Sequence, residues 1–484
     1  MAQVYSMAGG AATRLSPLTW YRTKALIPVV GHRMMSRIIY ELYKPQDFKN
    51  IGIVTCILGH QIDKYVRKSG FEKGGLEVSY YPNPYGEAEK ALSKINTAHS
   101  VLIAHKKAFG IDIGNADYFI KETNFDSKPI GNLVLAFKKM EINPKIWEEA
   151  TLAIANLRPL NKGKGNGEFK PFVVTGCDAL TNGDLRAIFE ELLNSERIAT
   201  INLYPMFDPV EVINYGIVMI KDGKAIDFKE KPGEAELKRN PSLADYKSRI
   251  KLNGEETECF LVNPQLYAFD PSVLAIIEAF VNAGLSPDWG KQILPLLAKS
   301  GMLFTRTMSP VEKWVDIGDL GTLRLTATRE ILYRNETYGI SIPGEKHGGV
   351  WREVGARVDA SVDGRLFAGS GSLIREGAKI NFVINPKEEI GTVVEDDAVI
   401  EKGAEVSGSI IYENAVIKSG ARVKNSIIGR NVIIPEGAEI EGEVVETVGF
   451  EHGRPVQIIV STKIPMENGK PLNIEPKLPT RRFF

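Results

Sequence analysis

Two glycines, Arg14 and Lys24 lie within the stretch AGGAATRLSPLTWYRTKALIPV, residues 8 to 29, directly after the short apolar run QVYSM. Glycines at a strand-to-loop turn reach dihedrals closed to other residues and let backbone N–H groups approach an anion closely. Arg14 and Lys24 add two full positive charges, so Gly9, Gly10, Arg14 and Lys24 together suit a phosphate group. The stretch lacks both Gly-x-Gly-x-x-Gly and a loop closed by Gly-Lys-Ser/Thr, which sets aside the two common nucleotide fingerprints. Two carboxylates complement the cations: within FVVTGCDAL a probable strand ends with Asp178, and Asp316 ends EKWVD. Carboxylates delivered from strand ends can share a hard cation such as Mg2+, which takes oxygen ligands and bridges phosphate oxygens. Either aspartate could instead cap a helix. Lys231, on the turn of FKEKPGE, reads by default as a solvated lysine.

These residues need a frame, and the first 336 positions alternate short β-type runs with amphipathic helical windows, the pattern of an α/β domain with a mixed, mostly parallel sheet. IGIVTCIL (51–58), LEVSYY (76–81), FVVT (172–175), ATINLY (199–204) and FLVNPQLYAF (260–269) are the strand candidates. Met35, Ile38, Ile39 and Leu42 recur at helical spacing, and further helices are expected from near residue 60 and near 183–194, 271–282, 289–299 and 319–336. Residues 96–170 find no place in this alternation and are expected to form an insertion.

The rhythm then changes. In blocks of seventeen, residues 393–443 read VVEDDAVIEKGAEVSGS, IIYENAVIKSGARVKNS and IIGRNVIIPEGAEIEGE. Val394, Ile411 and Ile428 head the copies, followed by Ile400, Ile417 and Ile434, then by Val406, Val423 and Ile440. Steps of six, six and five suit a coil with three short faces, each turning one aliphatic inward, with Gly403-Ala404, Gly420-Ala421 and Gly437-Ala438 at a crowded corner. This is a parallel β-helix of the hexapeptide kind, expected over 350–464, behind a Gly-rich linker at 337–349 and ahead of an extended tail at 465–484.

Sixty basic residues balance sixty acidic ones in 484, so no global field draws in nucleic acid or an anionic membrane. Cys56, Cys177 and Cys259 form neither a zinc pattern nor a disulfide framework, and no apolar run is long enough to span a bilayer. A cytoplasmic protein is expected. Because its flat faces and open end need covering, the β-helix is expected to build a homo-oligomer.

The order of these motifs, Gly-Gly-x-x-Thr-Arg-Leu-x-Pro-Leu-Thr (Gly9 to Thr19), Lys24 with Pro28-Val29, Gly176 to Asp178, Tyr215 to Val218, Glu230 to Pro232, Leu261 to Asn263 and Trp314 to Gly318, resembles the sugar-1-phosphate nucleotidyltransferase family. Several members append a left-handed hexapeptide β-helix. The resemblance implies a Rossmann-like nucleotidyltransferase domain that uses Mg2+ to join an NTP to a sugar-1-phosphate. It assigns the nucleotide to Gly9, Gly10, Thr13 and Gly86, the triphosphate to Arg14 and Lys24, and the sugar phosphate to Lys231. The sugar falls to Gly216, Glu230 and Asn263, and the metal to Asp178 and Asp316. Six positions depart from the family pattern: Ala12, Thr23, Glu87, Glu89, Cys177 and Gln265. They keep a second reading in view, a weak or inactive regulatory homologue. Acyl transfer would need a histidine on the coils, but His347 falls in the linker and His452 beyond the repeats.

Overall fold

The computed structural model describes residues 3–9, 12–55, 58–82, 97–109, 171–194, 198–221, 224–233, 245–252, 254–282, 284–381, 383–385, 388–451, 454–460, 466–467 and 470–471. The chain divides into two compact units: Met1–Gly10, Leu42–Cys177 and Thr181–Trp314 form the first, and Ala11–Glu41, Asp178–Leu180 and Val315–Phe484 the second.

The first unit is built on an eleven-stranded mixed sheet. Glu77–Pro82, Asn50–Thr55, Gln3–Met7 and Phe172–Gly176 lie side by side and parallel. Asn50–Thr55 and Phe172–Gly176 are near-continuous apolar runs, buried along almost their whole length as strands covered on both faces are, whereas Glu77–Pro82 at the sheet edge is exposed or half-buried throughout. Gln3–Met7 has its chain successor on one flank and Phe172–Gly176 on the other, so its carboxyl end opens where the strand order reverses, the usual ligand position in an open α/β sheet. Leu266–Phe269 is antiparallel to both Phe172–Gly176 and Ala199–Met206, which makes the sheet mixed. The run expected as one strand over 260–269 is two, Glu255–Val262 and Leu266–Phe269, because Gln265 turns the chain through a left-handed φ of 60°.

The expected insertion begins with an element of the core. Thr97–Ala108 is a helix that buries Ala98, Val101, Leu102 and Ala104 in the same cluster as Ser272–Asn282. Its pattern misleads because polar residues are buried too: His105 Nδ1 lies 2.9 Å from the Tyr5 hydroxyl, and Lys106 pairs with Glu278, whose carboxyl is raised by burial. Residues 110–170 lie outside the described residues, as do Cys56 and Ile57; the strand expected through 58 ends at Thr55, and Gly59–Ser69 is the helix after it.

The second unit is a parallel β-helix carrying other segments of the chain. Val394, Ile411 and Ile428 stack in register, as do Ile400, Ile417 and Ile434, and Val406, Val423 and Ile440. All nine are buried. Gly403, Gly420 and Gly437 take φ of 77°, 71° and 66° at one corner, and Asp397, Asn414 and Asn431 take left-handed φ at another. Asp and Asn tolerate that conformation through local side-chain hydrogen bonding.

One sheet differs from the other two. Val394, Ile411, Ile428 and Val445 face the coil interior, while their neighbours Val393, Ile410, Ile427 and Val444 face a second core with Leu15, Ile27, Val29, Met34, Leu320 and Leu323. Leu15, Ile27, Val29 and Met34 of the segment 12–41, and the helix that starts at Leu320, therefore lie on this sheet. The expected linker is structured as well: Ile340 and Ile342 are buried, and Glu345–His347 pairs with Val350–Arg352 as the first strand of the sheet. Coil stacking ends at Val444 and Val445, after which Val444–Glu451 and Arg454–Val460 form an antiparallel hairpin. The tail beyond 471 lies outside the described residues.

Buried Glu395 accepts from Gly31 N with both carboxylate oxygens, at 3.1 and 3.3 Å. Burial, then Glu413 and Asp396, push its carboxyl up to about 8, against weaker help from Arg33. A folded-state value above the unfolded one is a stabilising contribution present at low pH and lost as pH rises through about 8. Glu395→Gln should remove that loss. Its stability relative to the unmodified chain is expected to grow between pH 5 and 8, by at most about 1.4 kcal/mol per pH unit, measured by denaturant melts across pH; a constant difference would contradict the assignment.

Candidate functional site

Lys24 opens the short turn Lys24–Leu26. Its ammonium donates to Asp178 Oδ2 at 3.0 Å and stands 4.0 Å from Asp316 Oδ1. Ile317 N donates to Asp178 O at 3.1 Å, so backbone pairing holds the two aspartates beside one another. Asp316 is the more enclosed, its side chain 16% exposed against 37% for Asp178. Burial first, and the Asp178 charge second, raise its carboxyl to about 6, while Lys24 and Arg14 oppose the shift.

Arg14 lies on the turn Thr13–Leu15 and, like Thr13, is exposed. A Cβ on Gly318 would stand 2.9 Å from Arg14 Nη2 and 2.9 Å from Asp316 Oδ2, so only glycine admits both groups there. The next residue, Asp319, caps the helix Leu320–Leu325 by accepting from Thr322 N at 2.9 Å. Of the two aspartates in VDIGD, then, one caps and the other joins the charge cluster.

Ala12, just before Arg14, has φ 48° and ψ 42°. Glycine would hold this conformation at no cost, and alanine does so at about 1 kcal/mol. The Ala12 carbonyl accepts from Thr19 Oγ1 at 3.0 Å and Leu15 N at 3.0 Å, which pins the turn. Thr23 departs from the family pattern without conformational consequence, since its φ of −64° is the value a proline ring would impose. Cys177 and Cys259 are buried, and among the described residues neither takes part in a disulfide. Gly9 follows the first strand in the other unit, where Ala8 N donates to Val54 O at 2.7 Å. Gly10, Gly86, Glu87 and Glu89 lie outside the described residues.

Among the described residues no group of three or more His, Cys, Asp or Glu side chains could hold a metal ion. A pair of carboxylates still fits Mg2+, which commonly takes one or two from protein and completes its shell with water and phosphate. The Lys24 ammonium between Asp178 and Asp316 shows that the pair already shares one positive charge.

A second set is organised within the first unit. Lys231 N donates to Tyr215 O at 3.2 Å and Asn263 N to Gly216 O at 2.8 Å, tying Gly216, Lys231 and Asn263 into one strip of backbone. Lys231 has φ 43°, and its side chain is 62% exposed, leaving the ammonium in reach of a dissolved ligand. Glu230 sits beneath it, raised by burial first and by Asp288, against Lys231 and Lys291. Gly216 is required here: a Cβ would stand 2.5 Å from the Phe228 ring and 2.9 Å from the Glu230 carboxylate. Asn263 has a structural task, donating to the Tyr267 hydroxyl at 2.8 Å and accepting from Gln265 N at 2.9 Å, which holds Gln265 in its left-handed turn.

Sequence reasoning named Gly318 within a motif but gave it no role, and passed over Asp288 and Gly290. A Cβ on Gly290 would collide with the Glu230 carboxylate, and Asp288 caps the following helix through Gly290 N at 2.9 Å. The signal was an Asp two residues before a Gly at a helix start in SPDWGKQ.

The sequence model of the family described as Nucleotidyl transferase matches residues 6–126 and 139–331. That of the GlmU-like, C-terminal hexapeptide family matches 369–447. Among solved structures, the chain is similar to a Bacillus anthracis protein described as a glucose-1-phosphate thymidylyltransferase, in complex with a sucrose. The match has 17% identity and a TM-score of 0.42, covering 72% of this chain and 98% of that one.

Removing the Asp178 charge takes away the second cause of the high Asp316 value and leaves Lys24 to Asp316 alone. In Asp178→Asn the Asp316 carboxyl is expected to titrate below its present value of about 6, read from carboxyl carbon shifts by NMR; an unchanged midpoint would show that the two carboxylates do not sense one another.

Proposed function

Because the chain belongs to the nucleotidyl transferase family, whose model matches more than half of it, we propose that it transfers a nucleotidyl group from an NTP to a sugar-1-phosphate, releasing pyrophosphate and an NDP-sugar. The observation that carries this reading is the meeting of Lys24, Asp178 and Asp316, with Arg14 against Gly318 beside them. A polyphosphate and its metal ion need this set of charges.

The reaction asks little else of the protein. A sugar-phosphate oxygen attacks the α-phosphorus in line and pyrophosphate leaves, so positioning and charge neutralisation supply most of the acceleration. No general base is needed, since a phosphate monoester with its second pKa at about 6 is already largely ionised at neutral pH. Arg14 and Lys24 take the triphosphate, Lys24 turning from the carboxylates toward phosphate oxygens as substrate binds. Lys231 takes the sugar phosphate. Gly9, Gly10, Thr13 and Gly86 contact the nucleotide; Gly216, Glu230 and the loop shaped by Asn263 contact the sugar. Mg2+ held by Asp178 and Asp316 would neutralise phosphate charge when bound.

We assign catalysis to residues 1–336 and assembly of a homo-oligomer to the β-helix, in a cytoplasmic protein; among the described residues no helix is long and apolar enough to cross a membrane. A second reading, a weak or inactive regulatory homologue, is favoured by Ala12, whose methyl occupies a left-handed position in the nucleotide turn. Against it stands the presence of all five charged groups.

Purified protein with Mg2+ is expected to release pyrophosphate from at least one pair of a common NTP and sugar-1-phosphate. Asp178→Asn should lower kcat by about 100- to 1,000-fold, the loss usual for a group that stabilises charge in the transition state. Folded protein silent on every pair would decide for the regulatory reading. Gly318→Ala serves as a finer test. The groups it displaces are flexible side-chain ends, so melting should shift by no more than a few degrees, while kcat/KM falls at least about tenfold, or about 1.4 kcal/mol.

A further inference from the structure

Lys24 lies between two arginines that end on a single carboxylate. Arg22 Nη2 donates to Glu413 Oε2 at 3.0 Å and Arg33 Nη1 donates to Glu413 Oε1, so each oxygen holds one guanidinium. The Glu413 side chain is 11% exposed, and the two arginines keep its carboxyl below the ordinary value despite burial. Glu413 belongs to the repeat IIYENAVIKSGARVKNS, at a corner position filled by Asp396 and Arg430 in the neighbouring copies. That corner supplies the other anchors of the same segment. Tyr412 donates its hydroxyl to Pro28 O at 3.2 Å, Glu395 accepts from Gly31 N, and Arg430 Nη2 donates to Tyr21 O at 3.4 Å. Arg33 also returns to Leu26 O at 3.4 Å, closing the loop around the Lys24 turn.

We propose that Glu413 is a positioning residue for nucleotide binding: through Arg22 and Arg33, this β-helix carboxylate sets the place of the Lys24 ammonium. The inference rests on the transferase reading for what Lys24 binds. Its physical content is that Lys24 has a long, mobile side chain whose placement depends on its backbone, and that the backbone on both sides is tied to one buried anion. A buried charge pair loses strength sharply when one partner is neutralised, so Glu413→Gln takes the shared carboxylate from two guanidinium groups at once.

A double-mutant cycle separates positioning from general stability. The readout is the dissociation constant of Mg-NTP, using whichever nucleotide the unmodified chain binds, with Lys24→Gln, Glu413→Gln and the double variant. If Glu413 acts through Lys24, each single change weakens binding about tenfold and the double change weakens it no further. Glu413→Asp should recover part of the loss, and the dissociation constant of sugar-1-phosphate should stay within about twofold. Val423→Ala, a cavity inside the β-helix, controls for lost stability and should add independently to Lys24→Gln. Amide hydrogen exchange over residues 21–33 should rise in Glu413→Gln and not in Val423→Ala. Additive losses in the Lys24 and Glu413 cycle, or unchanged exchange over 21–33, overturn the positioning role while leaving the transferase reading intact. Absence of NTP binding in the unmodified chain would overturn both.

Discussion

A parallel sheet of the β-helix, Leu366–Ala368, Thr392–Val394, Ile410–Ile411 and Ile427–Ile428, is buried on both faces, and the candidate charge cluster depends on that burial. An isolated β-helix needs one inward aliphatic per face and can leave the outward neighbour polar. Here the outward row Val393, Ile410, Ile427 and Val444 is aliphatic and fully buried. Its cover includes Leu15 and Ile27, each next to or within three residues of the cations Arg14 and Lys24, and Leu180 and Ile317, two residues after Asp178 and one after Asp316. Burying a large aliphatic side chain contributes roughly 1.5–3 kcal/mol, well beyond the value of an exposed ion pair. The apolar contact thus holds the four charged groups in one compact unit although they come from three stretches of chain.

The β-helix was legible almost residue by residue because its period is local and its chemistry repetitive. Each seventeen-residue step returns an aliphatic to the same inward position, and the observed register follows the written blocks without a shift. The doublets VV, II and II carried a further message, a sheet covered on both sides, which a one-sided reading of the coil does not extract. The corners at Asp397, Asn414 and Asn431 were also written as Asp or Asn and are left-handed for that reason. Harder to see was the membership of residues 11–41 in this unit. Partners such as Arg22 and Glu413 are separated by most of the chain, and periodicity within a short window cannot report such a contact.

In the α/β unit local reading met its limits where polar residues are buried and where one residue turns the chain. Helix Thr97–Ala108 hides His105 and Lys106 by pairing them with Tyr5 and Glu278, so its polarity pattern no longer marks a solvent face. The turn at Gln265 splits an apolar run that reads as one strand. Within the candidate site, residue type was informative for charge and glycine was informative for space. Lys24 stood out as a cation near a Gly-Gly turn and Asp178 and Asp316 as carboxylates at strand ends, and the resemblance supplied the roles expected of them. Gly318 and Gly290 were given no role because a glycine's role depends on which side chain comes near it, and that is known only once the chain is folded.

Backbone strain shows how far the Lys24 segment relies on the unit around it. The hairpin of Pro28–Val29 and His32–Arg33 turns through Val30 at φ 57° and Gly31 at φ 76°. Two successive positive φ values match the right-handed twist of the strands, but a β-branched residue there is a steric outlier that costs of order 1–3 kcal/mol. Gly31 has no such freedom of replacement, since a Cβ would stand 2.6 Å from both Phe367 and Pro343. Such a turn persists only where its surroundings over-determine it. Arg37 donates to Val29 O and Val30 O, Gly31 N donates to Glu395 and the Pro28 carbonyl accepts from Tyr412. Remove the β-helix residues from that set and the local sequence favours a different turn. The backbone that carries Lys24 is therefore a property of the assembled unit, and the repeat domain contributes to the site by holding a conformation the loop would not keep by itself.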